Sequence, residues 1–324
     1  MDTTHSTYLR CEDYNKFIEE HNAFLFDCDG VLWRGPQLLP HSVDFIHRLQ
    51  NLGKRVFFVT NNSTKSKQEY VEKFKGFGVE LREGEDDIIC ASEMAARYLQ
   101  AKQPHVKKAY VIGSEGLKEE LRRCGIECCD EEKEDGKRVY NDLVDLGDTE
   151  VEDGVGAVVV GWDLTFNMVK LTKAHIYLTH SSTREEESKE EGSQCLFIAT
   201  NTDSSLPLPG GRSGPGTGVM VRALETSTME PIVTGKPSDW MMEFISSNYS
   251  LDMTSTVMIG DRLETDIVFG NKLGATSLFV LTGASTIDQI QSSVEIEDEK
   301  LIPNYFVEGI QTLYEGLVSL DSNN

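Results

Sequence analysis

The sequence lacks a regular cysteine framework. Its seven cysteines, an odd number, are spread from Cys11 to Cys195 without the spacing of a small disulfide-stapled domain. It also lacks an apolar run near the ~20 residues needed to span a bilayer, and its first residues have no basic start followed by an apolar stretch. We therefore expect a protein of a reducing compartment without a membrane partner. The cytoplasm is the expected location, and the nucleus stays open as a second one.

Basic residues are scarce relative to acidic ones. Lysine and arginine number 31 against 54 aspartates and glutamates, which gives a formal net charge of −23. Binding to nucleic acid or to an anionic membrane depends on clustered basic side chains, so we expect neither as a partner. A small anion held by a few local cations is compatible with this charge. With 324 residues, 39% of them hydrophobic, the chain is long enough for two domains.

Short apolar runs rich in Val, Ile and Phe alternate with helical stretches. The runs predict buried strands at residues 23–27, 55–60, 231–235, 256–261 and 276–282. Helices are predicted at residues 41–53, from apolar spacing of three and four, and at residues 66–78, which follow a Ser/Thr cap and stop in glycines. The alternation is typical of an α/β fold with a doubly wound, Rossmann-type parallel sheet.

The interval between Thr60 and Lys236 is far longer than the dozen or so residues that a crossover between parallel strands needs. It has strand-like runs of its own, at residues 109–113, 157–162 and 195–200. We therefore predict a second α/β domain inserted into the first. The predicted division is residues 1–103 for the first part of the core, 104–229 for the insert and 230–324 for the second part of the core.

Polar side chains follow the ends of four predicted core strands. Because ligands of open parallel sheets collect beyond the carboxyl ends of the strands, these residues are candidates for one site. In strand order they are Asp27 with Asp29, then Thr60 with Asn61 and Asn62, then Lys236, and finally Asp261 with Asp266. Acids combined with a lysine and a hydroxyl at one sheet edge indicate a magnesium and phosphate site.

These residue types suit phosphoryl transfer. The hard carboxylate oxygens of Asp27 and Asp261 suit Mg²⁺, and Lys236 would help the metal to neutralise the phosphate oxygens that repel a nucleophile. The Thr60 hydroxyl can donate a hydrogen bond to phosphate. One of the paired acids can attack phosphorus to form an aspartyl-phosphate, and the other can protonate the leaving alkoxide. Asp29, which is displaced from the strand end, is free to reach that leaving oxygen.

At these residues the chain resembles the haloacid dehalogenase (HAD) superfamily, whose four motifs match the DCDG, TN, lysine and GD segments. The resemblance implies Asp27 as the nucleophile and Asp29 as the acid/base. It also implies Mg²⁺ held by the carboxylates of Asp27 and Asp261 and by the backbone carbonyl of Asp29. The phosphate would then be held by Thr60, Asn61, Asn62 and Lys236, with Asp266 supporting the metal site.

Longer stretches, among them LFDCDGVLW, ATNTDSSLPL and GDRLETDI, are similar to the branch of eukaryotic phosphoglycolate and p-nitrophenyl phosphatases, including fungal members. The inserted domain then corresponds to the large α/β cap of that branch, which closes over the site and commonly forms a homodimer. Relatives that prefer pyridoxal phosphate carry His at the position of Leu206, and phosphoglycolate-type members carry Leu. Arg212 nearby is a hypothesised anchor for a substrate carboxylate.

The expected function is a Mg²⁺-dependent phosphomonoesterase that hydrolyses small phosphorylated metabolites through an aspartyl-phosphate. We expect 2-phosphoglycolate as the preferred substrate and turnover of p-nitrophenyl phosphate. Glycerol phosphate and pyridoxal phosphate stay open as alternative substrates. A phosphomutase would share the core residues, and a non-catalytic module that only binds a phosphorylated ligand is disfavoured because both Asp27 and Asp29 are present.

Overall fold

A computed structural model describes residues 6–82, 87–129, 135–180, 194–208 and 212–322. In chain order its strands are β1 (Thr7–Tyr8), β2 (Ala23–Phe26), β3 (Trp33–Arg34), β4 (Gln37–Leu38), β5 (Arg55–Thr60), β6 (Ile88–Cys90), β7 (Lys108–Ile112), β8 (Glu127–Cys128), β9 (Ala157–Val160), β10 (Leu196–Ala199), β11 (Ser205–Pro207), β12 (Ser213–Pro215), β13 (Ile232–Val233), β14 (Thr256–Gly260), β15 (Thr276–Val280) and β16 (Tyr305–Val307).

The α-helices are α1 (Tyr14–Glu20), α2 (Ser42–Asn51), α3 (Lys67–Gly76), α4 (Ala91–Lys102), α5 (Glu115–Arg123), α6 (Leu143–Gly147), α7 (Met168–His180), α8 (Thr217–Glu225), α9 (Asp239–Tyr249), α10 (Val268–Leu273), α11 (Ile287–Glu295) and α12 (Ile310–Ser322). Short 3-10 helices cover Cys11–Asp13, Met253–Ser255 and Glu299–Leu301, and a π-helical turn covers Leu263–Ile267. None of the helices in the described ranges is long and apolar enough to cross a membrane.

The larger sheet is parallel and has the strand order β1-β16-β15-β14-β2-β5-β6. All residues of β2 and β14 are buried, as expected for strands that helices cover on both faces. The order reverses at β2, which lies between β14 and β5, so three of the four predicted motif strands are neighbours. The predicted doubly wound α/β fold is confirmed, and the reversal provides the crevice at which such sheets bind ligands.

A second parallel sheet forms the inserted layer, with the order β13-β10-β9-β7-β8. Hydrophobic clusters cover its two faces, one around Val158, Val160 and Phe197 and the other around Val159 and Ile198, which helix α4 also joins. The predicted α/β cap is therefore present. The boundaries after residues 103 and 229 stay predictions.

One strand belongs to a different sheet from the one expected. The run at residues 231–235 was predicted as a core strand, but β13 pairs with β10, with Ile232 opposite Ile198. That assignment was wrong because a short apolar run indicates a buried strand without indicating which sheet it joins. The consequence for the site is that Lys236 follows the edge strand of the cap sheet.

Two short hairpins flank the carboxyl edge of the core sheet. The β3–β4 hairpin follows the Asp27 loop, and Trp33 pairs there with Leu38. The β11–β12 hairpin belongs to the insert and places Leu206 opposite Gly214. Because one hairpin comes from each domain, the crevice above the motif strands lies between core and cap.

Candidate active site

The loop after β2 begins with the buried Asp27, whose backbone N–H donates to the carbonyl of Ile259 on β14 at 2.9 Å. This bond fixes Asp27 beside the strand that leads to Asp261. Gly30 then adopts a φ of +93°, and a Cβ there would lie 2.5 Å from Asp261 Oδ2. Glycine is required at this position both for the left-handed turn and for the close approach of the two loops.

Asp29 is held through both oxygens of its carboxylate. The indole N–H of Trp33 donates to Oδ1 at 3.0 Å, and the side-chain amide of Asn62 donates to Oδ2 at 3.0 Å. Asn62 is itself fixed, because its Oδ1 accepts the backbone N–H and the hydroxyl of Thr64. The predicted acid/base therefore stands in one orientation, set by a residue of the β3–β4 hairpin and a residue of the loop after β5.

Lys236 connects the motif segments from a fully buried position. Its ammonium lies 2.6 Å from Asp27 Oδ1 and 2.8 Å from Asp266 Oδ1, and it also donates to the carbonyl of Val59 at 2.6 Å. Burial alone would lower the pKa of Lys236, but the carboxylates of Asp266 and Asp27 outweigh burial and raise it. The lysine is therefore a permanent cation between two of the acids.

Asn61 attaches Lys236 to the core. Its amide donates to the Lys236 carbonyl at 3.0 Å and its Oδ1 accepts the Lys236 N–H at 2.8 Å. The same amide lies 3.3 Å from Asp203 Oδ1, and the backbone carbonyl of Asn61 accepts the amide of Asn201 at 2.7 Å. Because its side chain is occupied by backbone groups, Asn61 positions the lysine. Direct contact of Asn61 with phosphate stays a prediction.

Asp261 and Asp266 are placed by backbone donors. Asp266 lies in the π-helical turn, where its Oδ2 accepts the N–H groups of Asp261 at 3.2 Å and Arg262 at 3.1 Å. Asp261 Oδ2 accepts the N–H of Ala284 at 2.6 Å, from the loop after β15. These bonds keep two carboxylates buried and close together at the end of β14.

The carboxylates of Asp27, Asp261 and Asp266 form a cluster that fits a divalent cation. One oxygen of each lies within 4.8 Å of the others, and all three residues are buried. Burial raises the pKa of Asp27 well above its usual range although Lys236 opposes the shift, and burial together with the charge of Asp266 raises the pKa of Asp261 to about 7. Three acids with one lysine leave excess negative charge, and hard oxygen ligands of this kind suit Mg²⁺.

The two expected carboxylate ligands, Asp27 and Asp261, are thus brought together, and the cluster includes Asp266, which was expected only to support the site. The carboxylate of Asp29 points instead to Trp33 and Asn62. The role of the Asp29 backbone carbonyl as a metal ligand stays a prediction.

A cavity of about 290 Å³ covers this cluster. Its lining includes the predicted residues Asp27, Asp29, Thr60, Asn61, Asn62, Leu206, Lys236, Asp261 and Asp266. Arg212 is the exception, because it lines a neighbouring cavity of about 730 Å³ to which Leu206 also contributes. The structure therefore brings every predicted site residue except Arg212 into one cavity.

Sequence reasoning missed several contributors to this site, among them Trp33, Ala284, Asp203 and Arg262. Trp33 and Ala284 hold Asp29 and Asp261, while Asp203 and Arg262 line the catalytic cavity. Trp33, Asp203 and Arg262 lie within the stretches that carry the family resemblance, so proximity to the motifs was an available signal. Ala284 contributes only a backbone N–H, which leaves no signal in residue identity.

Comparison with known proteins agrees with this geometry. Residues 24–127 match the family of haloacid dehalogenase-like hydrolases, and residues 233–312 match the HAD-hydrolase-like family. The two matches cover both parts of the core, including the loop after β2 and the segment that ends in Asp261 and Asp266.

Relatives match over nearly the whole chain. Phosphoglycolate phosphatase 1A of Arabidopsis thaliana is 38% identical over 92% of this chain and 78% of its own length. Glycerol-3-phosphate phosphatase of Gallus gallus is 36% identical over 95% of this chain and 96% of its own.

Among solved structures, a p-nitrophenyl phosphatase from Archaeoglobus fulgidus superposes with a TM-score of 0.71 at 30% identity, covering 91% of this chain and 98% of that one. A glycerol phosphate phosphatase from Mycobacterium tuberculosis, solved in complex with magnesium, gives 0.70 at 27% identity, covering 92% and 77%. With these relatives, the buried carboxylate cluster and the cap above it, the chain belongs to the haloacid dehalogenase-like hydrolases and is a phosphatase of that family.

Proposed function

We propose that this phosphatase is a Mg²⁺-dependent phosphomonoesterase that works through an aspartyl-phosphate on Asp27, with 2-phosphoglycolate as its preferred substrate. The observation that carries the proposal is the buried cluster of Asp27, Asp261 and Asp266 with Lys236 at 2.6 and 2.8 Å from two of them. A cavity of about 290 Å³ suits a small ester.

The three clustered carboxylates would hold Mg²⁺, which supplies charge neutralisation for the phosphate oxygens when bound. Lys236 favours the ionised form of the Asp27 carboxylate, and Asp27 attacks phosphorus while the bond from phosphorus to the ester oxygen breaks. Asp29 gives its proton to the leaving alkoxide. In the second step Asp29 takes a proton from water, the hydroxide attacks phosphorus, and Asp27 leaves as a free carboxylate.

Asp29 is oriented for both proton transfers. Trp33 and Asn62 each occupy one lone pair of its carboxylate, which leaves acceptor positions on both oxygens. Since Asp29 lines the same cavity as Asp27, its proton can reach a leaving group whose phosphorus faces Asp27. Asp27 is then the nucleophile, and Asp29 is the group that transfers protons.

The substrate assignment rests on two supports. One relative, 38% identical, is named as a phosphoglycolate phosphatase. Leu206 lines the cavity, and pyridoxal phosphatases of this branch carry His at the position of Leu206. Glycerol phosphate is the second candidate, because a relative of 36% identity is named for glycerol 3-phosphate. Phosphate release across two- and three-carbon phospho-acids, glycerol phosphates and pyridoxal phosphate separates these substrates.

The reaction itself is tested with p-nitrophenyl phosphate. We expect turnover by the wild type with Mg²⁺ and none after chelation with EDTA. Asp27→Asn, which keeps the side-chain shape and removes the nucleophile, should lose turnover by at least about 10³-fold. Metal-independent turnover, or an active Asp27→Asn, would contradict the mechanism. Phosphoryl transfer to a second hydroxyl in preference to water would indicate a phosphomutase.

Two expectations from the sequence remain predictions. Homodimerisation through the cap is tested by sedimentation of the purified protein, and the cytoplasmic location is tested by cell fractionation.

A further inference from the structure

Two cavities meet at Arg262. The catalytic cavity of about 290 Å³ and its neighbour of about 730 Å³ share Arg262, together with Gly35, Ser205 and Leu206. The lining of the larger cavity, drawn from the described residues, contains Arg34, Arg212 and Arg262 and no carboxylate. In a chain with 54 acidic and 31 basic residues, this is a local reversal of charge that favours anions.

The side chain of Arg262 has unused donor capacity. Its Nη2 donates to the carbonyl of Ser205 at 2.9 Å, next to Leu206 on the β11–β12 hairpin. Within the described ranges no carboxylate oxygen comes within 4.0 Å of this guanidinium. A guanidinium carries five N–H donors and its charge is permanent, so this partly buried cation can accept an anionic partner.

Lys236 cannot take that role. It is the other cationic side chain in the described lining of the catalytic cavity, and its ammonium lies at 2.6 and 2.8 Å from Asp27 and Asp266. Asp203 also lines this cavity and would repel an anion. A second anionic group on the substrate is therefore best placed at Arg262, which also lines the larger cavity, whose described lining contains no carboxylate.

We propose that Arg262 binds a carboxylate of the substrate and thereby selects phosphate esters of small hydroxy acids over phosphate esters with neutral remainders. The proposal rests on the proposed function and replaces Arg212 with Arg262 as the carboxylate anchor. A guanidinium and a carboxylate match in a planar, two-bonded geometry that a neutral hydroxyl cannot reproduce. Arg262 is then a specificity residue, and the reacting groups remain Asp27 and Asp29.

The test compares Arg262→Gln with wild type on 2-phosphoglycolate, glycerol 3-phosphate and p-nitrophenyl phosphate, with Mg²⁺. We expect kcat/KM for 2-phosphoglycolate to fall on the order of 10- to 100-fold, while the other two esters change by less than about threefold. Arg262→Lys should recover part of the loss. Arg222→Gln on α8 is the matched control, because this exposed arginine lines neither cavity, and it should leave all three rates within about threefold. Arg212→Gln, which changes the lining of the larger cavity, tests the alternative anchor.

Equal losses on all three esters in Arg262→Gln would overturn the proposal, since they would indicate a general structural role. An unchanged preference, or a selective loss in Arg212→Gln alone, would overturn it as well. Failure of the proposed function is a separate result, namely no Mg²⁺-dependent turnover of p-nitrophenyl phosphate by wild type.

If wild type hydrolyses p-nitrophenyl phosphate but not 2-phosphoglycolate, the binding of the carboxylate is tested by inhibition of p-nitrophenyl phosphate turnover. The proposal requires 2-phosphoglycolate to inhibit at least about tenfold more strongly than ethyl phosphate, which lacks the carboxylate, and requires Arg262→Gln to remove the difference. Equal inhibition of the wild type by both compounds would overturn the proposal.

Discussion

Gly283 should be essential for the metal site although its own atoms carry no chemistry. It lies in the loop after β15, one residue before the N–H that holds Asp261. A Cβ built on Gly283 would lie 1.7 Å from Asp261 Oδ2 and 2.3 Å from Asp261 Cβ, whereas real Cβ contacts essentially never fall below 3.0 Å. Gly283→Ala therefore forces the loop and Asp261 apart.

The size of the effect follows from that overlap. Because the clash includes Asp261 Cβ, rotation of the carboxylate cannot relieve it, and the two segments must separate by roughly 1 Å or more. A displacement of this size at a catalytic site costs about 10²-fold in rate. The charge-assisted bond from Ala284 to Asp261, about 1.5–3 kcal/mol, would be weakened as well.

The assay measures kcat/KM for p-nitrophenyl phosphate as Mg²⁺ is titrated. Gly283→Ala should lower kcat/KM about 100-fold and raise the Mg²⁺ concentration needed for half-maximal rate. The control is Gly76→Ala in α3, where a Cβ meets no atom within 4 Å and the rate should stay unchanged. A loss of less than threefold in Gly283→Ala, with normal Mg²⁺ dependence, would refute the placement of this loop against Asp261.

Three further substitutions test other parts of the site. Lys236→Met removes the buried cation and should lower the free energy of unfolding, measured in urea without metal, by about 3–5 kcal/mol. It should also abolish nearly all turnover. An unchanged urea midpoint would contradict the ion pairs of Lys236 with Asp27 and Asp266. Trp33→Phe removes one donor to Asp29 and should lower kcat about tenfold with little change in KM, which steady-state kinetics would measure. Leu206→His should shift the preference about tenfold towards pyridoxal phosphate over 2-phosphoglycolate, and an unchanged ratio of kcat/KM would remove Leu206 from the pocket.

Much of the fold was predictable because its strands are short apolar runs bounded by polar turns. The predicted strands at residues 23–27 and 256–261 appear as β2 and β14 within a residue of the expected ends. The strands β1, β6 and β16 were not predicted. Each has only two or three residues, too few for a periodic pattern to stand out.

The site was predictable where its residues lie at the carboxyl ends of core strands. Thr60 ends β5, and Asp27 and Asp261 directly follow β2 and β14, the next two strands of the sheet, so the parallel strands bring the three residues to one edge. Lys236 was also predicted correctly, from its motif. The assumption that it follows a core strand was wrong, because the strand before it, β13, belongs to the cap sheet. Its place at Asp27 depends on Asn61, which binds both backbone groups of the lysine.

The sequence by itself determined the class of the protein, since the identity and order of the acids, the hydroxyl and the lysine depend only on the chain. Tertiary structure decided which arginine enters the catalytic cavity, which donors orient Asp29, and how closely Gly283 approaches Asp261. These relations join segments far apart in sequence, and they are set by the packing of cap against core and by backbone groups that every residue shares. Local sequence patterns do not determine distances between such segments.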